Sequence, residues 1–102
     1  MSRREEKEGV PSSVRDAQSL DFGLPITGYL CCARAEFPFV IGVVFSDSKT
    51  RFRQAATIRT SPIENAFEMH GLWVCETIND SRYVICDWAH EANPPIRNGQ
   101  LH

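Results

Sequence analysis

The side chains of this 102-residue chain best suited to covalent or metal chemistry are four cysteines and three histidines, and their spacing argues against both uses. Structural zinc sites draw their ligands from closely spaced pairs such as Cys-x-x-Cys, and no pair here has that spacing. Cys31 and Cys32 are adjacent, so a regular strand points them to opposite sides, while Cys75 and Cys86 fall on neighbouring strands where they can face one another. A metal site would need His70, His90 or His102 brought in by the fold, and neither a metal nor another cofactor is expected. Cys86 with His90 as its base is the nearest thing to a nucleophile pair. No orienting partner or oxyanion donor accompanies it, and cysteine behaves most often as a small buried apolar residue. No catalytic residues are expected.

Charge is the second candidate for chemistry. Residues 49–59 hold Lys49, Arg51, Arg53 and Arg59 with no acid, giving +4, whereas residues 60–91 hold Glu64, Glu68, Glu76, Asp80, Asp87 and Glu91 against Arg82 alone, giving −5. Arg51 and Arg53 flank Phe52, and a basic strand carrying an aromatic ring suits single-stranded nucleic acid, whose bases stack on such rings. The alternative function is therefore a nucleic-acid surface formed by Lys49, Arg51, Phe52, Arg53 and Arg59. Against it, the acidic half repels phosphate, positive charge also protects exposed strand edges from aggregation, and the whole chain carries −2 with a pI of about 5.9. No bulk electrostatic partner follows from those values.

The elements that must position these residues are strands. From Ile63 to Trp88 the pattern predicts a three-stranded meander. His70-Gly71 supplies a two-residue turn with the positive φ that glycine allows, which sets Met69 opposite Leu72, Phe67 opposite Val74, Asn65 opposite Glu76 and Ile63 opposite Ile78. A second turn on Asp80-Ser81 would pair Cys75 with Cys86 and Trp73 with Trp88. One face then carries Ile63, Phe67, Met69, Leu72, Val74, Ile78, Tyr83 and Ile85 as the core. The other carries Trp73, Cys75, Thr77, Val84, Cys86 and Trp88. Upstream, strands are expected near 26–33, 39–45 and 51–60, and Ser13-Val14-Arg15-Asp16 matches the start of a short capped helix over 13–20. Fold class follows as mainly β, a small antiparallel barrel or roll of about five or six strands with one short N-terminal helix and disordered ends.

A solvent-facing sheet surface normally turns polar, so a second face bearing two tryptophans must be covered. Either the sheet curls over it, or it docks against another molecule. The residues expected to make such a protein contact are Trp73, Trp88 and Val84, with Glu64 and Glu68 at the strand edge. The function expected is a small non-enzymatic protein-binding module, an inhibitor, adaptor or accessory protein of a bacterium or phage, able to form a homodimer, with nucleic acid the lesser partner. In domain terms the chain divides into a charged tail with a short helix (1–22), a single β domain (23–90) and an irregular tail (91–102). The charged N-terminus precedes no apolar run of signal-peptide type, and the apolar stretch 37–45 is too short to span a bilayer. A cytoplasmic protein with reduced thiols is expected, and no membrane partner.

Overall fold

The computed structural model describes residues 10–49 and 53–89, together with two short strands near the C-terminus. Six strands, β1 (Gly28–Glu36), β2 (Phe39–Phe45), β3 (Ala56–Arg59), β4 (Ile63–Met69), β5 (Leu72–Thr77) and β6 (Arg82–Ile85), form one sheet in the order β3-β2-β1-β6-β5-β4. A helix, α1 (Ser12–Gln18), precedes them. β7 (Ile96–Arg97) and β8 (Gln100–Leu101) form a separate ladder, where the sequence predicts only an irregular tail.

The sheet is mixed rather than wholly antiparallel. Thr60-Ser61-Pro62 bends the chain without reversing it, so β4 continues in the direction of β3. The two meanders β1-β2-β3 and β4-β5-β6 therefore meet with their first and last strands parallel, Gly28 beside Tyr83 and Leu30 beside Ile85. This seam is tight: a Cβ on Gly28 would stand 3.1 Å from Val44 Cγ2 and 3.2 Å from Tyr83 Cε1.

The short link between β3 and β4 also dictates curvature. A flat six-stranded sheet would hold its edges about 24 Å apart, whereas the extended chain from Arg59 to Ile63 reaches at most about 14 Å. The sheet must curl until its edges approach at that end. Backbone hydrogen bonds hold the link there: Thr60 N–H to Val40 O at 2.9 Å, Ile63 N–H to Pro38 O at 2.7 Å and Ile78 N–H to Pro62 O at 3.0 Å. No ladder joins β3 to β4, so the curl is not closed into a barrel.

Both faces of the sheet are apolar because both are covered. The inner face gathers Leu30, Ala33, Val40, Val44, Ile58, Cys75, Tyr83 and Ile85, with Ala56, Ile63, Ala66, Trp73 and Trp88 half-buried around them. The outer face gathers Cys31, Phe45, Val74, Val84 and Cys86 beneath Val14 and Ala17 of α1 and Phe22 of the following segment. Val14 and Ala17 are buried, so the helix belongs to the domain and not to a tail. Its predicted cap is also different: Pro11 stands at the N-cap with no side-chain bond, and the Ser13 hydroxyl turns instead to Asp87.

The predicted β4–β5 register holds from Met69 opposite Leu72 to Asn65 opposite Glu76, around a turn in which His70 and Gly71 both take positive φ. A bulge at Glu64 then brings Ile63 opposite Thr77, not Ile78. The β5–β6 register differs by three residues, with Cys75 opposite Tyr83 and Trp73 opposite Ile85. Thr77 explains it. Its backbone N–H donates to Ser81 O, and its hydroxyl accepts the N–H groups of Asn79 and Ser81, so the loop runs from Thr77 to Ser81 with Asp80 at φ 64°. Ile78, expected in the core, is 55 % exposed in that loop. An odd shift exchanges faces: Tyr83 and Ile85 join Trp73 inside, and Val84 and Cys86 move to the outer face.

Candidate functional site

Among the described residues β4 is an edge strand, paired with β5 on one side only. Along it Glu64, Asn65 and Glu68 are exposed, while Ile63, Ala66, Phe67 and Met69 are half-buried. Glu68 stands opposite Trp73, and Ala66 opposite Cys75, so Glu68 shares the inner face with Trp73 and the half-buried rim. At the N-terminal end of the strand lies a polar depression lined by Glu64, Glu76, Thr77, Asp80, Ser81 and Arg82. Its floor is fixed. Glu76 accepts a hydrogen bond from Asn65 Nδ2 at 2.9 Å and another from Arg82 Nε at 2.8 Å. These two donors hold the Glu76 carboxyl below its ordinary range. Arg82 is held in turn by Pro25 O at 2.8 Å. Glu76 is paired with Arg82, Glu64 and Asp80 are the further acids of the lining, and the Lys49 ammonium stands against its Asp80–Ser81 side.

Of the residues expected to bind protein, Trp73 and Trp88 sit half-buried on the inner rim, and Glu64 and Glu68 are exposed on the β4 edge. Val84 cannot touch a partner. It is fully buried on the outer face among the residues packed beneath α1. Of the expected nucleic-acid residues, Lys49 and Arg59 each contact other parts of the chain. The Lys49 ammonium donates to the carbonyls of Asn79 and Asp80 at 3.5 and 3.2 Å and to Ser81 Oγ at 3.0 Å, tying the polar turn after β2 to the loop before β6. The Arg59 guanidinium lies 4.5 Å from the centre of the Phe39 ring. Arg53 is exposed, and Arg51 and Phe52 lie outside the described residues.

All four cysteines are free thiols, Cys32 exposed and the others buried. Burial pushes the thiols of Cys31, Cys75 and Cys86 up to about 12, the Cys86 thiol being raised further by Asp87 and Cys31. Such thiols are protonated at neutral pH and poor nucleophiles, which weakens the pairing of Cys86 with His90, a residue outside the described set. The expected contact between Cys75 and Cys86 is absent because the register puts them on opposite faces. One group the sequence did not reveal is Cys31, Cys32 and Asp87, whose ligand atoms all lie within 4.8 Å of one another. Strand alternation separates adjacent cysteines, and only a local irregularity reunites them.

Comparison with protein-family models, with curated proteins and with solved structures finds no match to this chain. No helix among the described residues is long and apolar enough to cross a membrane.

Proposed function

We propose that the chain is a small non-enzymatic protein-binding module that accepts an extended, basic segment of another protein along the free edge of β4. The observation that carries this reading is an edge strand with Glu64 and Glu68 exposed beside an acid-lined depression. Strand addition pairs the edge's backbone groups beyond Ile63, whose N–H donates to Pro38 O, and leaves the side chains to set specificity. Lysine or arginine opposite Glu64 and Glu68 makes favourable cross-strand pairs, and the half-buried Trp73 offers apolar contact beside Glu68. A second copy is a poorer occupant. Full antiparallel pairing of β4 with itself would set Glu64 against the partner's Glu68, and like charges directly opposite destabilise a ladder. The same acids and the bulge at Glu64 protect the edge against self-association. A cytoplasmic location accompanies this reading and is supported by the four free thiols.

The test uses two extended peptides, one alternating valine with lysine and the other alternating valine with glutamate. The lysine peptide is expected to shift the backbone amide resonances of residues 64–68, with affinity falling as salt rises. Exchanging both acids, Glu64→Lys with Glu68→Lys, should transfer the preference to the glutamate peptide. Equal binding of the two peptides, or no shift from either, would refute the proposal.

A further inference from the structure

The second site lies where β1 is interrupted. The β1–β2 register passes from Cys31 opposite Val43 to Arg34 opposite Ile41, so Cys32 and Ala33 together oppose Gly42. This two-against-one arrangement is a β-bulge. Cys32 takes φ 55°, a left-handed conformation that a non-glycine residue seldom adopts. Alternation breaks at that point, and the Sγ atoms of Cys31 and Cys32 converge with a carboxylate oxygen of Asp87, all within 4.8 Å.

Asp87 is fixed by three hydrogen bonds from two parts of the chain, α1 and the β1 bulge. Its Oδ1 accepts the backbone N–H of Cys32 at 2.7 Å, its Oδ2 accepts the hydroxyl of Ser13 on α1, and its backbone carbonyl accepts the N–H of Ala33 at 3.2 Å. A carboxylate oriented by two hydrogen bonds is the arrangement that surrounds metal-binding acids, where the outer contacts set the direction of the ligand. Cys32 is exposed, so one side of the group is open to solvent.

We propose that Cys31, Cys32 and Asp87 bind one thiophilic divalent cation of the zinc class, with a water molecule in the remaining position. Zinc–sulfur and zinc–oxygen bonds of about 2.3 and 2.1 Å in a tetrahedron separate neighbouring ligand atoms by about 3.5–3.8 Å. The three atoms, all within 4.8 Å of one another, reach that spacing by a contraction of at most about 1 Å. Binding releases the thiol protons, and the two sulfur ligands select zinc or cadmium over calcium and magnesium, which take all-oxygen ligand sets. The alternative role for Asp87 is to satisfy the Cys32 N–H that the bulge removes from the ladder. Asp87→Asn keeps an oxygen for that N–H but loses the anionic ligand.

Full-length reduced protein titrated with Cd²⁺ decides the matter through the ultraviolet thiolate-to-cadmium charge-transfer band, with Zn²⁺ affinity read by competition against a chromophoric chelator. One ion per chain is expected, and both Cys32→Ser and Asp87→Asn should weaken it by at least about tenfold. Melting curves without metal establish that the variants remain folded, and added Zn²⁺ should raise the melting temperature of the parent protein but not of Cys32→Ser. A band of undiminished strength in Cys32→Ser, unchanged affinity in Asp87→Asn, or no band at all in the parent would overturn the site.

Discussion

Val74 stands directly opposite Val84 across the β5–β6 ladder, and neither side chain is accessible to solvent. The pair lies at the middle of the outer core, between β1 and β4, beneath the helix. Val84→Asp should therefore place an unpaired carboxylate where no donor waits, at a cost of several kcal/mol against a total stability of about 5–15 kcal/mol. Loss of the cooperative thermal transition is the expected result. A Val84→Asp protein that melts normally would show that Val84 faces solvent.

Trp88 is half-buried against the inner cluster and bridged to Ala33. Trp88→Ser should cost roughly 2 kcal/mol, below the 3–5 kcal/mol typical of a fully buried tryptophan, and leave a folded protein. For a chain of this size that loss corresponds to a fall in melting temperature of about 8–16 °C. Calorimetry on the variant checks both the size of the drop and the survival of cooperativity.

The Glu76–Arg82 pair makes stability depend on pH in a defined direction. Hydrogen bonds from Asn65 and Arg82 depress the folded-state pKa of Glu76 below its unfolded value. Its contribution is fully present above the unfolded value near 4.3 and is lost as pH falls through the lower folded value. Glu76→Gln should cost about 1 kcal/mol at pH 7. The gap between the two denaturation curves should close below about pH 4.

Thiol reactivity should divide one against three. Cys32 is exposed, whereas Cys31, Cys75 and Cys86 are buried. A disulfide-exchange reagent added to native protein should modify Cys32 promptly and the other three only on unfolding. Thiol counts after denaturation should reach four with or without reductant.

What the sequence made legible was set by local rules. His70-Gly71 imposed its turn and with it the pairing of Met69 with Leu72. The apolar run 39–45 appeared as a strand. The β5–β6 register was not legible, because it depends on the Thr77 hydroxyl closing the loop on its own backbone, and nothing in Asn79-Asp80-Ser81 distinguishes that loop from a tighter turn. The parallel seam was hidden for a different reason: it follows from a bend at Ser61-Pro62 that preserves direction, which composition does not encode. Of the candidate site, Glu64, Glu68 and the tryptophans were visible through charge and size. The grouping of Cys32 with Asp87 was not, since residues 55 apart in the chain meet there only through the bulge.

The three-residue link between β3 and β4 also shapes how the molecule could go wrong. Within each meander the strands pair with neighbours close in the chain, while the β1–β6 seam joins residues such as Thr27 and Arg82, 55 apart. Loop-closure entropy therefore falls mainly on one contact, the last expected to form during folding. If that seam opens in one molecule, each half exposes a strand edge that fits the complementary half of another. Straightening at Ser61-Pro62 would let two chains exchange halves, rebuilding both seams between them. The bend that curls the sheet is then also the hinge for domain swapping.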